Sequence, residues 1–123
     1  MRIERRMNRS QNVYEALELQ LAASLKRANF QSVILAEDQG FPVAGVGEMR
    51  EGEEVAALAP SLVPGKSIWQ GKVLLDSGAE QTVTIAPLKT EAGNLYLCGI
   101  GGKPTQIIDE LLYSCQGVNR ILV

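Results

Sequence analysis

The residues that could do chemistry fall into a few small groups. Gly101-Gly102-Lys103 stands before a helical pattern and invites a phosphate-loop reading. Such a loop needs a Gly five residues before the Gly-Lys pair and a Ser or Thr after the Lys. Here those positions hold Leu97 and Pro104. A flexible strand-to-helix turn is the simpler account, with anion binding by helix-start amides as the alternative. Glu37 and Asp38 are neighbouring carboxylates, but they sit in a turn with no third ligand close in sequence. Asp109 and Glu110 are adjacent on a helix, so they point in different directions, and the helix dipole accounts for them. Cys98, on a strand, and Cys115, on an apolar helical face, read as reduced core residues. A disulfide between them would be unusual in a cytosolic protein even if helix and strand pack together.

The chain contains no His. That removes His-dependent nucleophile activation, His general base work and His metal ligation. Ser24, Ser67, Ser77 and Ser114 therefore have no His to activate them, and the 2 Cys cannot form a four-thiolate site. No metal, cofactor or catalytic residue is expected. Trp69, the only Trp, is either a core residue or an anchor at a protein interface, where Trp is over-represented.

These residues need a frame to position them. The chain has 123 residues, one domain's worth, and 46% are apolar against 21% charged. Net charge is −2, so no overall basic field attracts nucleic acid. Apolar runs are too short to span a bilayer, and no apolar signal region follows the first residues, so the expected location is the cytoplasm. Residues 1–10 carry four Arg against one Glu, a charge of +3 that leaves −5 on the rest. They read as a basic flexible arm before a single domain over 11–123.

The pattern of elements follows. A helix should start near Ser10 or Asn12, where Asn12 and Glu15 have capping-box spacing. Its apolar stripe runs through Val13, Tyr14, Leu17, Leu21, Leu25 and Ala28, with a smaller strip of Ala16, Leu19 and Ala23 on the far side. Ser32 to Gly47 reads as a hairpin turned at Glu37-Asp38-Gln39-Gly40, and Pro42 makes its second strand an edge or a bulged strand. A second helix starts at about Glu51, must kink or end at Pro60, and exits at Pro64-Gly65. Arg50 falls in the loop before it. From Ser67 the period changes to two: Trp69–Leu75, Gln81–Leu88 and Leu95–Ile100 form a three-stranded meander. Pro104 opens a last helix with Ile107, Ile108, Leu111, Leu112 and Cys115 on one face, and Gly117 marks its stop. The ending Val118–Val123 adds a short strand or a docking tail.

This order, with the wording of its hairpin, resembles the Roadblock family, the dynein light-chain fold also found in bacterial regulators of Ras-like GTPases. SVILAEDQGFPVAGVG resembles that family's first hairpin, EEVAALA (53–59) the start of its second helix, and LYLCGIGG (95–102) its last strand. The resemblance covers about residues 11–117. It implies an α+β, profilin-like fold, α-β-β-α-β-β-β-α, with a five-stranded antiparallel sheet. The first and last helices lie on one face and the second on the other. It also implies two-fold dimers, binding of small GTPases or larger scaffolds, and no catalytic residues. In the family the second helix is usually unbroken, and Pro60 and Pro64 depart from that.

The expected function is a non-enzymatic protein-binding module that regulates or scaffolds a Ras-like small GTPase, as a homodimer. The alternative is a small-molecule sensor domain of the related helix-and-sheet type. A sensor needs a concave pocket with convergent polar groups, and few polar residues fall at inward positions. In the topology that the resemblance implies, the strand beginning at Trp69 lies at a sheet edge, a template for pairing with its copy. Val55, Leu58, Leu62, Trp69, Val73 and Leu75 are the candidate dimer or partner interface, some of them facing the chain's own core instead.

Overall fold

The computed structural model describes residues 2–63, 65–91 and 93–122, with the backbone alone for residues 2–10. The elements are α1 (Arg2–Ala28), β1 (Phe30–Glu37), β2 (Pro42–Gly47), α2 (Met49–Leu62), β3 (Trp69–Leu74), β4 (Glu80–Thr90), β5 (Gly93–Gly101) and α3 (Ile107–Leu122). The strands form one antiparallel sheet in the order β2-β1-β5-β4-β3.

Alternation along the strands sorts the apolar side chains into two cores. Val33, Leu35, Leu97 and Ala86 face α1 and α3, which supply Leu17, Leu21, Ile107, Leu111 and Val118. Ile34, Ala36, Val83, Ile85, Cys98 and Ile100 form the other core with Val55, Ala56 and Ala59 of α2. The expected class therefore holds, with α1 and α3 on one face and α2 on the other. The central strands β1 and β5 are covered on both faces, which is why both read as unbroken apolar runs.

The β1–β2 turn uses its glycine twice. Gly40 has φ +89°, and its N–H donates to the Glu37 carbonyl at 2.9 Å. A Cβ there would also lie 3.0 Å from the Ala57 Cα of α2. β2 is an edge strand, and its register with β1 shifts between Leu35 and Ala36, opposite Pro42. Edge position and irregular pairing are both the outcome Pro42 implies.

Four local readings are corrected. Helix α1 starts at Arg2, so Asn12 and Glu15 lie inside it and do not cap it. Tyr14, placed on the core stripe, is 46% exposed. The expected arm, residues 1–10, lies outside the described side chains. Gly117 does not stop α3. The helix continues to Leu122, and Gly117 is buried where α3 crosses α1. The end of the Gln20 side chain of α1 lies in the space that a Cβ at 117 would take. Residues 118–122 consequently extend α3 and form no strand.

Candidate interaction surface at the sheet edge

The sheet has two edges, and they differ. β2 starts at a Pro and pairs irregularly, which blunts it. β3 pairs with β4 in unbroken register from Trp69↔Ile85 to Leu74↔Glu80, and its other side is unpaired among the described residues. Its exposure alternates strictly. Trp69, Gly71 and Val73 lie on the α2 side of the sheet, and Gln70, Lys72 and Leu74 on the side of α1 and α3.

Trp69 is positioned by Gly71. A Cβ at 71 would lie 2.9 Å from the Cη2 and Cζ2 atoms of the indole, so the bare glycine leaves room for the ring to lie along its own strand. Helix α2 packs mainly on β1, β5 and β2. Over the outer strands, the half-buried Trp69, Val73 and Leu62 pack against the apolar cluster instead. That leaves a partly covered apolar ledge beside a free strand edge.

The six expected residues divide here. Val55 and Leu75 are 0% and 3% exposed, so they belong to the chain's own core and offer no surface. Leu62, Trp69 and Val73 keep exposed area on the cluster that β3 borders, and Leu58 is exposed on α2. Leu74, not singled out by the sequence, is 70% exposed on the other face of β3. Its signal was its position: an apolar residue at an outward step of an alternating strand.

Helix α2 is locked to the same region by acidic side chains. The Asp76 N–H donates to both carboxylate oxygens of Glu54, at 3.2 and 3.0 Å. The Ser77 Oγ donates to Glu51 at 3.4 Å. Glu48 caps the helix by accepting from the Arg50 N–H at 3.0 Å. Arg50 is therefore the second residue of α2 and not part of a preceding loop, because the cap sits two residues earlier than the acidic run suggests. Pro60 lies inside α2, two residues before its last residue Leu62, so the helix ends soon after it and is not broken in its middle.

The other chemical candidates settle into structural work. The Lys103 N–H donates to the Ala28 carbonyl at 2.7 Å, and the Gln106 and Ile107 N–H groups donate to the Lys103 carbonyl. The Lys103, Gln106 and Ile107 amides are thus engaged within the chain itself. Cys98 and Cys115 lie in cores on opposite faces of the sheet and both are free thiols. Among the described residues no group of three or more acidic or Cys side chains gathers to hold a metal ion. Among the described residues, open surface clefts include ones of about 370, 480 and 550 Å³. No described helix is long and apolar enough to cross a membrane.

No family model matches the chain, and no curated protein matches it. Solved structures do. The gliding protein MglB from Thermus thermophilus superposes with a TM-score of 0.68 at 12% identity, over 89% of this chain and 90% of that one. MglB in a tetrameric arrangement gives 0.69 at 12% identity, over 89% and 90%. MglB from Myxococcus xanthus gives 0.67 at 12% identity, over 88% of each. The chain thus has the profilin-like α+β fold of these MglB proteins.

Proposed function

We propose that this chain is a Roadblock-type, non-enzymatic binding module that regulates or scaffolds a Ras-like small GTPase in the cytoplasm, working as a homodimer joined through β3. The observation that carries the reading is the free, regular β3 edge beside an apolar ledge of Leu62, Trp69 and Val73, with the exposed Leu58 on α2 as a further candidate, set in a fold shared with MglB. Self-association in this fold is further supported by the tetrameric arrangement of one MglB structure. The GTPase partner comes from the family that the hairpin, the second helix and the last strand resemble.

Regulation of this kind requires no chemistry from the chain itself. A partner that binds one switch conformation better than another shifts the population toward it, by no more than the difference in affinity. Arg50, exposed at the start of α2, is the residue to test as a supplied arginine. A catalytic arginine is worth roughly 10³ to 10⁵ in hydrolysis rate.

The test is binding of the purified chain to Ras-like GTPases loaded with GDP or a non-hydrolysable GTP analogue. The expected result is a preference of about tenfold or more for one nucleotide state, which corresponds to about 1.4 kcal/mol. Arg50→Ala is expected to change any rate enhancement by less than about tenfold, far below the loss of a catalytic arginine. Equal, weak binding to both states would favour scaffolding over regulation. Absence of binding to every GTPase tried would overturn the reading.

A further inference from the structure

The outer face of α1 carries a pattern that the β3 edge does not use. Leu19 is 73% exposed and lies opposite the core face of α1, which runs through Leu17, Leu21 and Ala28. Glu15, Ala16, Ala22, Ala23 and Lys26 share that side with it. Glu15, Leu19, Ala22 and Lys26 follow one another at steps of four, three and four residues, the seam spacing of a two-stranded coiled coil. The steps read the same in either direction, but the chemistry is polar: an acid at one end and a base at the other.

That polarity decides what fits the face. Against a second α1 running parallel, Glu15 would meet Glu15 and Lys26 would meet Lys26, two like-charge contacts. Against an antiparallel copy, Glu15 meets Lys26 of the second copy at both ends, and Leu19 meets Ala22 in the middle. Around Leu19, the small side chains of Ala16, Ala22 and Ala23 leave a shallow hole for the incoming Leu19, so the axes can approach at the short end of the helix-packing range. Both charged residues are exposed, and neither makes an ion pair among the described residues.

We propose that the outer face of α1 is a self-association surface, on which α1 of a second copy packs antiparallel about a two-fold axis between Leu19 and Ala22. The surface lies on the far side of α1 from the sheet. Its formation does not depend on pairing through β3, and where both occur it joins dimers into larger particles.

The test is sedimentation velocity of the full chain across the micromolar range, with circular dichroism confirming that each variant is folded. Leu19→Glu changes an exposed residue and is expected to reduce the number of chains per particle by half. Glu15→Lys and Lys26→Glu singly turn both end contacts repulsive and are expected to weaken this association about tenfold. Glu15→Lys/Lys26→Glu together recreate the opposite pairs and are expected to restore it to within about threefold of the unaltered chain. A double variant as weak as the singles would overturn the antiparallel pairing. So would a particle that Leu19→Glu leaves unchanged; if a β3-edge variant does dissociate that particle, the β3 reading survives alone. A fall from two chains to one with Leu19→Glu supports the α1 surface and removes the β3 dimer instead.

Discussion

Cys98 and Cys115 show how burial sets the chemistry of a side chain. Cys98 is 1% exposed in the α2-side core, and desolvation pushes its thiol up to about 12. Cys115, partly buried beside α3's core face, is pushed by the same cause to about 11. The nucleophile is the thiolate, so a raised value suppresses reaction at neutral pH. At pH 8 the thiolate fraction is about one in ten thousand for Cys98 and about one in a thousand for Cys115 by these values. Native labelling with a thiol reagent should therefore be slow at both, and slower at Cys98. The rate should rise about tenfold per pH unit while the fold persists, because each unit toward the pKa multiplies the thiolate by ten. Denaturant should release both thiols at once. Rapid labelling of both in the native chain would show that the cores open far more readily than their packing implies.

At the scale of elements, one carboxylate ties α1 to α3. Glu110 accepts from the Ser24 Oγ at 2.8 Å and from the Arg27 Nε at 3.0 Å. The guanidinium lies 5.0 Å from the centre of the Tyr113 ring, and Glu110 raises its pKa further, chiefly through the hydrogen bond. The Arg27 side chain is 47% exposed, so solvent screens the ion pair and its share is small. Ser24 is fully buried, and its hydroxyl is the group that suffers when Glu110 is removed. Glu110→Ala should cost about 1 to 3 kcal/mol in urea unfolding, mainly from that stranded hydroxyl. A cost below about 0.5 kcal/mol would mean that water replaces the carboxylate. None of this was legible in the sequence, where Glu110 looked like dipole chemistry, because its partners lie 83 and 86 residues away. The local signals succeeded where local physics decides: the Asp-x-Gly turn, the period-two strands and Pro60 near a helix end. They failed where tertiary packing overrides them, as at Gly117, which a sequence reads as a stop and which lies buried inside α3. The candidate surface was half legible for the same reason. Helical spacing put Val55 and Leu58 on one apolar side, but only the placement of α2 over β1 and β5 shows that the first is covered and the second is not.

For the molecule as a whole, the question is which interaction could hold two copies together at β3. Pairing two edge strands of 6 residues adds roughly six backbone hydrogen bonds, each worth about 0.5 to 1.5 kcal/mol net. Association itself costs on the order of 4 to 15 kcal/mol in lost translational and rotational freedom. Backbone pairing alone is therefore about break-even, and the edge sets register without supplying affinity. The surplus must come from apolar area, and in the proposed β3 dimer Leu58, Leu62, Trp69 and Val73 are the residues that would supply it from each copy, at up to about 1.5 to 3 kcal/mol for each side chain fully buried. On this account the outward charge on β3 is secondary: Lys72 reaches Glu80 only at 3.8 Å and both are well exposed. Leu58 is 37% exposed, so Leu58→Glu should spare the core and still weaken the dimer about a hundredfold, the size of an interface hot spot. Lys72→Ala should change it less than about threefold. Trp69, the chain's only Trp, reports on the same event: its emission should shift to the red as the protein is diluted through dissociation. Leu58→Glu should move that transition to higher concentration. An emission maximum that stays fixed on dilution, with Leu58→Glu sedimenting as the unaltered chain does, would show that the β3 ledge faces solvent and that the copies do not meet there.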